Sequence, residues 1–550
     1  MHKSCKNCQK DFAITPDDLG FYERIGVPAP QLCPECRFQR RLAWRNERTL
    51  HRAVCAATGK SIISGFAPDA GYTIYDRDYW WSDEWDALSF GQNYNLEKPF
   101  FQQYDELLHK VPMPSLFNSR NVNCDYTQYT GESKEGYLVS ASWSVENVMY
   151  ASRVAGVKDS MDLYIMMDGS LCYEIISCQK MYSSAFSEKS ENCVDCRFVY
   201  ECKGCNDCFG CTNLRNKSYH IFNQPYSREE YKKKIQEMDL GSYKNLQIAR
   251  KKFEELKLAA VRKYANLTNA PNCTGDDLSN SFNCEDCYVC FNDMKDCKFV
   301  SNSNDIQNSY DCFGAGAAAE LMYEAFDSGV QASRLCFVGT VYGGQNVFYS
   351  INCHGCSNLF GCVGLRNKNY CILNRQYSPS EYDDLISKIK SQMSKMGEYG
   401  EFFPVAISPF GYNETIAQDY FPLTKEQAIA KGYKWRDKEK SEHQPTIKAA
   451  DLPDHIKNAG EDILKEIIAC AGCQRVYRII PRELEFLKRF NIALPRKCFE
   501  CRHQDRFKQV NFPRLYDRQC MRCDKDIKTT YAPDRQETIY CESCYNAEVV

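Results

Sequence analysis

Between residues 116 and 378, short aromatic or aliphatic clusters alternate with polar separators rich in Asn, Asp, Ser and Gly. In 272–378 the clusters centre near Val289, Val300, Asp311, Met322, Cys336, Tyr349, Phe360 and Cys371. Their even spacing, about 11–14 residues, is that of a short strand and its turn. In 116–226 they run less evenly through Tyr126, Tyr137, Met149, Tyr164, Tyr173, Tyr182, Phe198, Phe209 and Tyr219. Short strands at even spacing with polar turns predict a sandwich, a barrel or a solenoid. Heavy use of Asn and of small Cys and Ser, which stack from coil to coil, selects a parallel β-solenoid. Two clusters per turn would make a coil of roughly 22–26 residues. The expected fold is mainly β with a small α content.

The two stretches are copies. A shift of 151 lays Cys202, Cys205, Phe209-Gly210-Cys211 and Leu214-Arg215-Asn216-Lys217 on Cys353, Cys356, Phe360-Gly361-Cys362 and Leu365-Arg366-Asn367-Lys368. Each copy ends in a strand, a loop and a helix start, with Ser227 or Ser378 placed to cap the helix. Apolar residues at helical spacing among dense Lys and Glu place helices over 228–264, broken at Gly241-Ser242, and over Glu381 to about Lys395. The Lys232-Lys233-Lys234 run reads as a solvated helix face. The resulting division is 1–53, 54–115, 116–226 (first solenoid unit), 227–271 (helical insertion), 272–378 (second unit), 379–435 (helix and connector), 436–465 (linker), 466–511 and 512–550.

The two ends are also copies, at a shift of 465. Cys5, Cys8, Cys33 and Cys36 fall on Cys470, Cys473, Cys498 and Cys501, and the match continues through Cys55 on Cys520 and Thr73-Ile74-Tyr75 on Thr538-Ile539-Tyr540. Two Cys-x2-Cys knuckles supply four thiolates, the complement of a closed tetrahedral zinc site, whose role is structural because no coordination position stays open. A further set, Cys520, Cys523, Cys541 and Cys544, has only Cys55, Thr58, Asp76 and Tyr79 opposite it. About three zinc ions are therefore expected, on ribbons at 1–53, 466–511 and 512–550, with a metal-free second ribbon in 54–115. There Tyr72, Tyr75, Tyr79, Trp80, Trp81 and Trp85 would supply burial in place of metal; a stacking platform for bases or sugars is the alternative.

Cys5-Lys6-Asn7-Cys8, Phe12, Phe21-Tyr22, Gly26 and Cys33-Pro34-Glu35-Cys36-Arg37 resemble a treble-clef-like family of bacterial zinc-binding ribbons. The resemblance covers only the first ribbon at each end and implies zinc and fold, not activity. The overall layout resembles that of uncharacterised zinc-ribbon proteins from small-genome uncultured bacteria.

Composition sharpens this. The chain has 33 cysteines in 550 residues, and an odd number cannot all pair. No apolar run approaches a membrane span, and the opening residues show no secretory pattern. A reducing cytoplasmic setting is expected, with thiols acting as metal ligands or packing residues. Inside the chain Cys193, Cys196, Cys202, Cys205, Cys208 and Cys211 form a period-three run. It approaches an iron–sulfur ligand run, but Cys208 corresponds to Leu359 in the second copy. Packing as reduced thiols, additional zinc at Cys193/Cys196 with Cys202/Cys205, and a cluster are the three readings. Residues three apart face opposite sides of a flat strand, so the period of three demands corners.

No catalytic constellation is present: no phosphate-binding loop, no nucleophile elbow and no His-Glu-x2-His, while Gly314, Gly316, Gly343 and Gly344 make no dinucleotide fingerprint. Residues 1–53 carry 10 Lys and Arg against 6 Asp and Glu, residues 466–550 carry 16 against 12, and the whole chain totals −3, leaving −11 for the middle. Arg37, Arg40, Arg41 and Arg45, with Arg502, Arg506 and Lys508 in the other copy, lie beside aromatics on the helix after each first site. They are candidate contacts to RNA, DNA or a nucleoprotein, against an ordinary solvated helix. The expected function is a non-catalytic zinc scaffold or adaptor. An iron–sulfur or thiol redox protein and a carbohydrate-binding or carbohydrate-active solenoid are the alternatives.

Overall fold

The computed structural model describes residues 1–437 and 443–549. Two parallel strand ladders dominate it. The first runs from Asn118–Ser119 to Ser218–Ile221 and the second from Leu267–Thr268 to Asn369–Ile372; each closes with a short antiparallel strand. Partners in the first ladder stand at a sequence offset of 12, as in Ser140 with Ser152 and Arg197 with Phe209. The second ladder opens on an offset of 11, at Leu267 with Leu278. From there its offset is 12 or 13, as in Gln345 with Ser357 and Glu320 with Ser333. Each cluster thus pairs with the very next one. The expected repeat of two clusters per pairing step is corrected to one.

The reason is local. From Arg120 to Phe222 every third residue has a positive φ, 45–60° at the non-glycine positions, and the pattern returns unbroken from Arg334 to Leu373. A left-handed residue every third position turns the chain before a second cluster is reached. Asn, Asp and Gly tolerate that region best, which is why Asn147, Asp159, Asp168, Asn192, Asp195, Gly204 and Asn216 fall there. The corners fall in the polar separators and inside the clusters alike, as at Tyr126, Phe198 and Tyr349.

One residue of each triplet faces inward. The buried core of the first ladder is Val139, Val145, Val148, Val154, Leu163, Ile175, Cys193, Cys196, Cys202, Cys205, Cys208 and Cys211, with others in the same phase. Serines and cysteines of this phase hydrogen-bond the backbone in the same way. Along one column, Cys178 donates to the Ile176 carbonyl (3.3 Å) and accepts from the Ser190 amide (3.3 Å). Ser190 then donates to the Glu188 carbonyl (2.9 Å) and accepts from the Cys202 amide (3.1 Å). An unpaired buried amide costs about 1–3 kcal/mol, so an interior with corners favours small side chains that both donate and accept. Cys178→Ser keeps both bonds and is expected to be nearly neutral. Cys178→Ala loses them and is expected to cost about 1–3 kcal/mol in a denaturant titration; equal stability of the two variants would contradict this role for the thiols.

The expected helices form as Arg228–Met238, Tyr243–Ala259 and Pro379–Met396. Ser227 and Ser378 cap the first and last, and each also donates its own backbone amide to the carboxylate of the glutamate three residues on. The stretch 436–465 reads as a linker in the sequence. Asp437 is described, and 438–442 lie outside the described residues. Beyond them Ala449, Leu452, Ile456 and Ile463 are buried against the first ladder's cluster.

Candidate metal centres and the arginine clasps

The two ends share one order of elements. The N-terminal module has helices Pro16–Ile25 and Pro34–Leu42, hairpin strands His51–Val54 and Ser61–Ser64, and strand Ile74–Tyr75. The C-terminal module repeats them as Pro481–Phe490, Phe499–Phe507, Tyr516–Gln519, Asp526–Thr529 and Ile539–Tyr540. Proline opens both first helices, where its missing amide costs nothing, and Gly26 and Asn491 close them in the left-handed region.

Three four-cysteine groups could each hold a metal ion: Cys5, Cys8, Cys33 and Cys36; Cys470, Cys473, Cys498 and Cys501; and Cys520, Cys523, Cys541 and Cys544. Within each group the sulfurs lie within 4.8 Å of one another. The pairs Cys8–Cys33, Cys473–Cys498 and Cys523–Cys541 are each separated by 3.7 Å. Backbone amides already point at the sulfurs: Cys33 donates to Cys5, Cys498 to Cys470 and Cys541 to Cys520, each at 3.2 Å. Side chains add Asn7 to Cys36 and Arg475 to Cys473, both at 3.3 Å. Such donors favour the thiolate form that a metal needs.

At the position of the fourth group, Cys55 is alone. It keeps the amide bond from Asp76 at 3.1 Å, the counterpart of Cys541 to Cys520. Aromatic side chains pack around this position. Trp80 is buried and donates to the Pro112 carbonyl, Trp85 donates to the Trp80 carbonyl, and Tyr75 meets Tyr79 and Trp85 edge-on. Trp81 is the exception, at 41% exposure.

The basic helices do not face outward. Arg37 and Arg41 are buried against Asp311 of the second ladder, at 2.8 and 3.2 Å. Arg40 reaches Glu324 and Glu401, both at 2.7 Å. In the other module Arg502 and Arg506 are buried against Asp162 of the first ladder, at 3.0 and 2.8 Å. Two arginines one helical turn apart thus hold one buried aspartate in both copies. Arg45 pairs with Glu47 at 2.6 Å and lies over the rings of Tyr129 and Phe313. The reading of Arg37, Arg40, Arg41, Arg45, Arg502 and Arg506 as phosphate contacts is corrected: carboxylates within the chain occupy them. Lys508 is exposed.

Burial works against Glu47's charge, but Arg153 and Arg45 overcome it and hold its carboxyl below the ordinary range. For Glu324, burial outweighs Arg40 and Arg41, and its carboxyl sits above that range. In Arg37 burial opposes the charge, yet Asp311 keeps the guanidinium protonated more firmly than in water.

The modules are exchanged between the ladders. Phe21, Tyr22 and Ile25 of the N-terminal module pack in one core with the second ladder, and Phe21 stacks on Tyr310 at 3.9 Å. Leu484, Phe486 and Leu487 of the C-terminal module pack in one cluster with Tyr150, Tyr173 and Phe186 of the first ladder, a cluster separate from its inward core. The second ribbon of each module then pairs with the chain just ahead of the opposite ladder: Ile74 with Met113 before the first, Ile539 with Arg262 before the second. Each terminal module therefore spans both ladders. The modules also meet, through Arg48 with Glu500 and Arg514 with Glu35.

Sequence reasoning missed the carboxylates. The available signal was an aspartate in the corner phase flanked by large apolar residues, as in Met161-Asp162-Leu163-Tyr164 and Tyr310-Asp311-Cys312-Phe313.

No family model and no curated protein matches the chain. Among solved structures, a chain from Desulfovibrio desulfuricans G20 described as a candidate acetyltransferase aligns over 51% of this chain and 82% of its own, at 9% identity and a TM-score of 0.11. A likeness at that level carries no argument about fold or activity. No helix among the described residues is long and apolar enough to cross a membrane.

Proposed function

We propose that this protein is a non-catalytic scaffold in which two parallel β-solenoids are locked together by zinc-bearing, treble-clef-like terminal modules. The observation that carries it is the exchanged pair of clasps: Arg37 and Arg41 on Asp311, Arg502 and Arg506 on Asp162. The near-constant offset between paired strands supports a solenoid with one cluster per pairing step. Zinc fits the terminal groups because a tetrahedral ion with bonds of about 2.3 Å separates its sulfurs by about 3.8 Å, close to the 3.7 Å seen. A closed four-thiolate shell holds elements in place and offers no position for a substrate.

Metal analysis of the purified protein with a visible spectrum tests the assignment. About three zinc ions per chain and no colour are expected. Iron with absorption in the visible would replace this reading with the iron–sulfur one. Nucleic-acid affinity that rises steeply as salt is lowered would restore a docking role, carried by basic residues outside the clasps.

A further inference from the structure

The interior cysteines of the first ladder make no further metal group. Among the described residues only the three terminal sets gather their ligand atoms within 4.8 Å, while Cys193, Cys196, Cys202, Cys205, Cys208 and Cys211 are buried in the inward columns. What this ladder offers a ligand lies on its outward side. Ser119 pairs with Gly131, Gly131 with Trp143 and Trp143 with Ala155, so these residues stack in one outward column. Trp143 is 44% exposed. Gly131 is buried, because the indole covers it: a Cβ there would stand 2.1 Å from Cζ3, 2.3 Å from Cη2 and 2.5 Å from Cε3 of Trp143. Three adjacent ring atoms at nearly equal distances place that point beneath the face of the ring, not beyond its edge. One face of the indole is thus seated on the Gly131 backbone and the other is open. Its N–H has no partner among the described residues.

The two borders of this column differ. On one side the corners are Arg120, Glu132 and Ser144, which follow Ser119, Gly131 and Trp143 in the chain and are all exposed. Arg120 Nη2 meets Glu132 Oε1 at 2.5 Å, and the Ser144 hydroxyl donates to Glu132 Oε2 at 3.4 Å. Further along the same border the exposed Asp168 leans over Gly156, its Oδ1 2.5 Å from where a Cβ would stand, and its carboxylate has no partner among the described residues. On the other side the corners are Tyr129 and Ala141, with Phe117 stacked on Tyr129 at 5.0 Å. A flat apolar seat is therefore edged on one side only by donors and acceptors.

We propose that Trp143, Glu132 and Arg120 form a binding site for a pyranose unit of a neutral β-linked glycan. A pyranose with equatorial hydroxyls turns an apolar C–H face to an aromatic ring, whose own face is electron-rich. Its hydroxyls then project at the edge, where a carboxylate accepts and a guanidinium donates. A nucleobase could also stack on the indole, but its phosphates would meet an acidic border: Arg120 stands against Glu132 and Asp168, and the middle of the chain carries −11 overall. A single exposed apolar side chain is ordinary on a protein surface. The glycine that seats this one and the ion pair beside it are what set it apart. The site goes beyond the zinc scaffold and does not depend on its metal.

The test is isothermal titration of the full chain with cellohexaose, a neutral β-linked glucose oligomer, and with a short oligothymidylate at physiological salt as the anionic comparison. Cellohexaose is expected to bind at millimolar concentration or below. Trp143→Ala is expected to lower that affinity at least tenfold, with the thermal midpoint unchanged because the ring lies outside the core. Gly131→Val keeps the indole but puts a side chain where it sits; Gly131 is outside the left-handed region, so the backbone accepts the change, and the same loss is expected. Trp81→Ala, at the other exposed tryptophan, is expected to bind as the natural protein does. No binding of cellohexaose, undiminished binding by the Trp143→Ala protein, or an oligothymidylate that binds more tightly than the sugar through Trp143 would overturn the assignment. Metal content is measured on the same samples, so failure here is distinguishable from failure of the terminal-site reading.

Discussion

Asp311→Ala is expected to destabilise the protein by about 3–5 kcal/mol, because it leaves Arg37 and Arg41 buried without their shared carboxylate. Asp162→Ala should cost a similar amount through Arg502 and Arg506. Both aspartates are fully buried, so water cannot take the place of the lost partner. The comparison that isolates the electrostatics is a triple replacement, Arg37→Met/Arg41→Leu/Asp311→Leu. Removing all three charges together is expected to return most of the loss, since burying an ion pair is itself expensive. Denaturant titration of the three proteins checks this. An Asp311→Ala protein as stable as the natural one would mean that the clasp contributes nothing.

Loss of the N-terminal metal is expected to have an effect of comparable or larger size. In small zinc peptides metal binding supplies roughly 10–16 kcal/mol, and the helix carrying Arg37, Arg40 and Arg41 begins directly at Cys33. Cys33→Ser/Cys36→Ser should lower the metal content by one ion and the midpoint of thermal unfolding by many degrees. Cys55→Ser, at the site already lacking its other three sulfurs, should leave the metal content unchanged. Metal analysis with calorimetry on both variants decides the matter. A Cys33→Ser/Cys36→Ser protein that retains its full metal complement would rule out the first site.

The four-cysteine groups were legible in the sequence because paired Cys-x2-Cys knuckles recur at fixed spacing, and two copies repeat that spacing. The parallel ladders were legible as evenly spaced clusters. The length of the pairing repeat was not, because it depends on a left-handed backbone at every third position, and residues such as Ile165, Phe198 and Thr340 that adopt it carry no compositional mark. The clasps were misread for a different reason. An arginine beside an aromatic on an amphipathic helix looks the same whether the anion it meets is a phosphate or an aspartate from a distant part of the chain, as Asp311 is for Arg37. Only the fold brings that aspartate in.

The exchange of modules between ladders is the centre of the account, and amide hydrogen exchange on the Cys33→Ser/Cys36→Ser protein tests it most directly. Releasing the N-terminal first ribbon should strip protection from the second ladder around Tyr310–Phe313 and Tyr323–Phe326, where Phe21, Arg37 and Arg40 dock. Protection around Met161 and Tyr173 of the first ladder, held by the C-terminal module, should persist. Loss of protection in the first ladder instead, or none in the second, would contradict it.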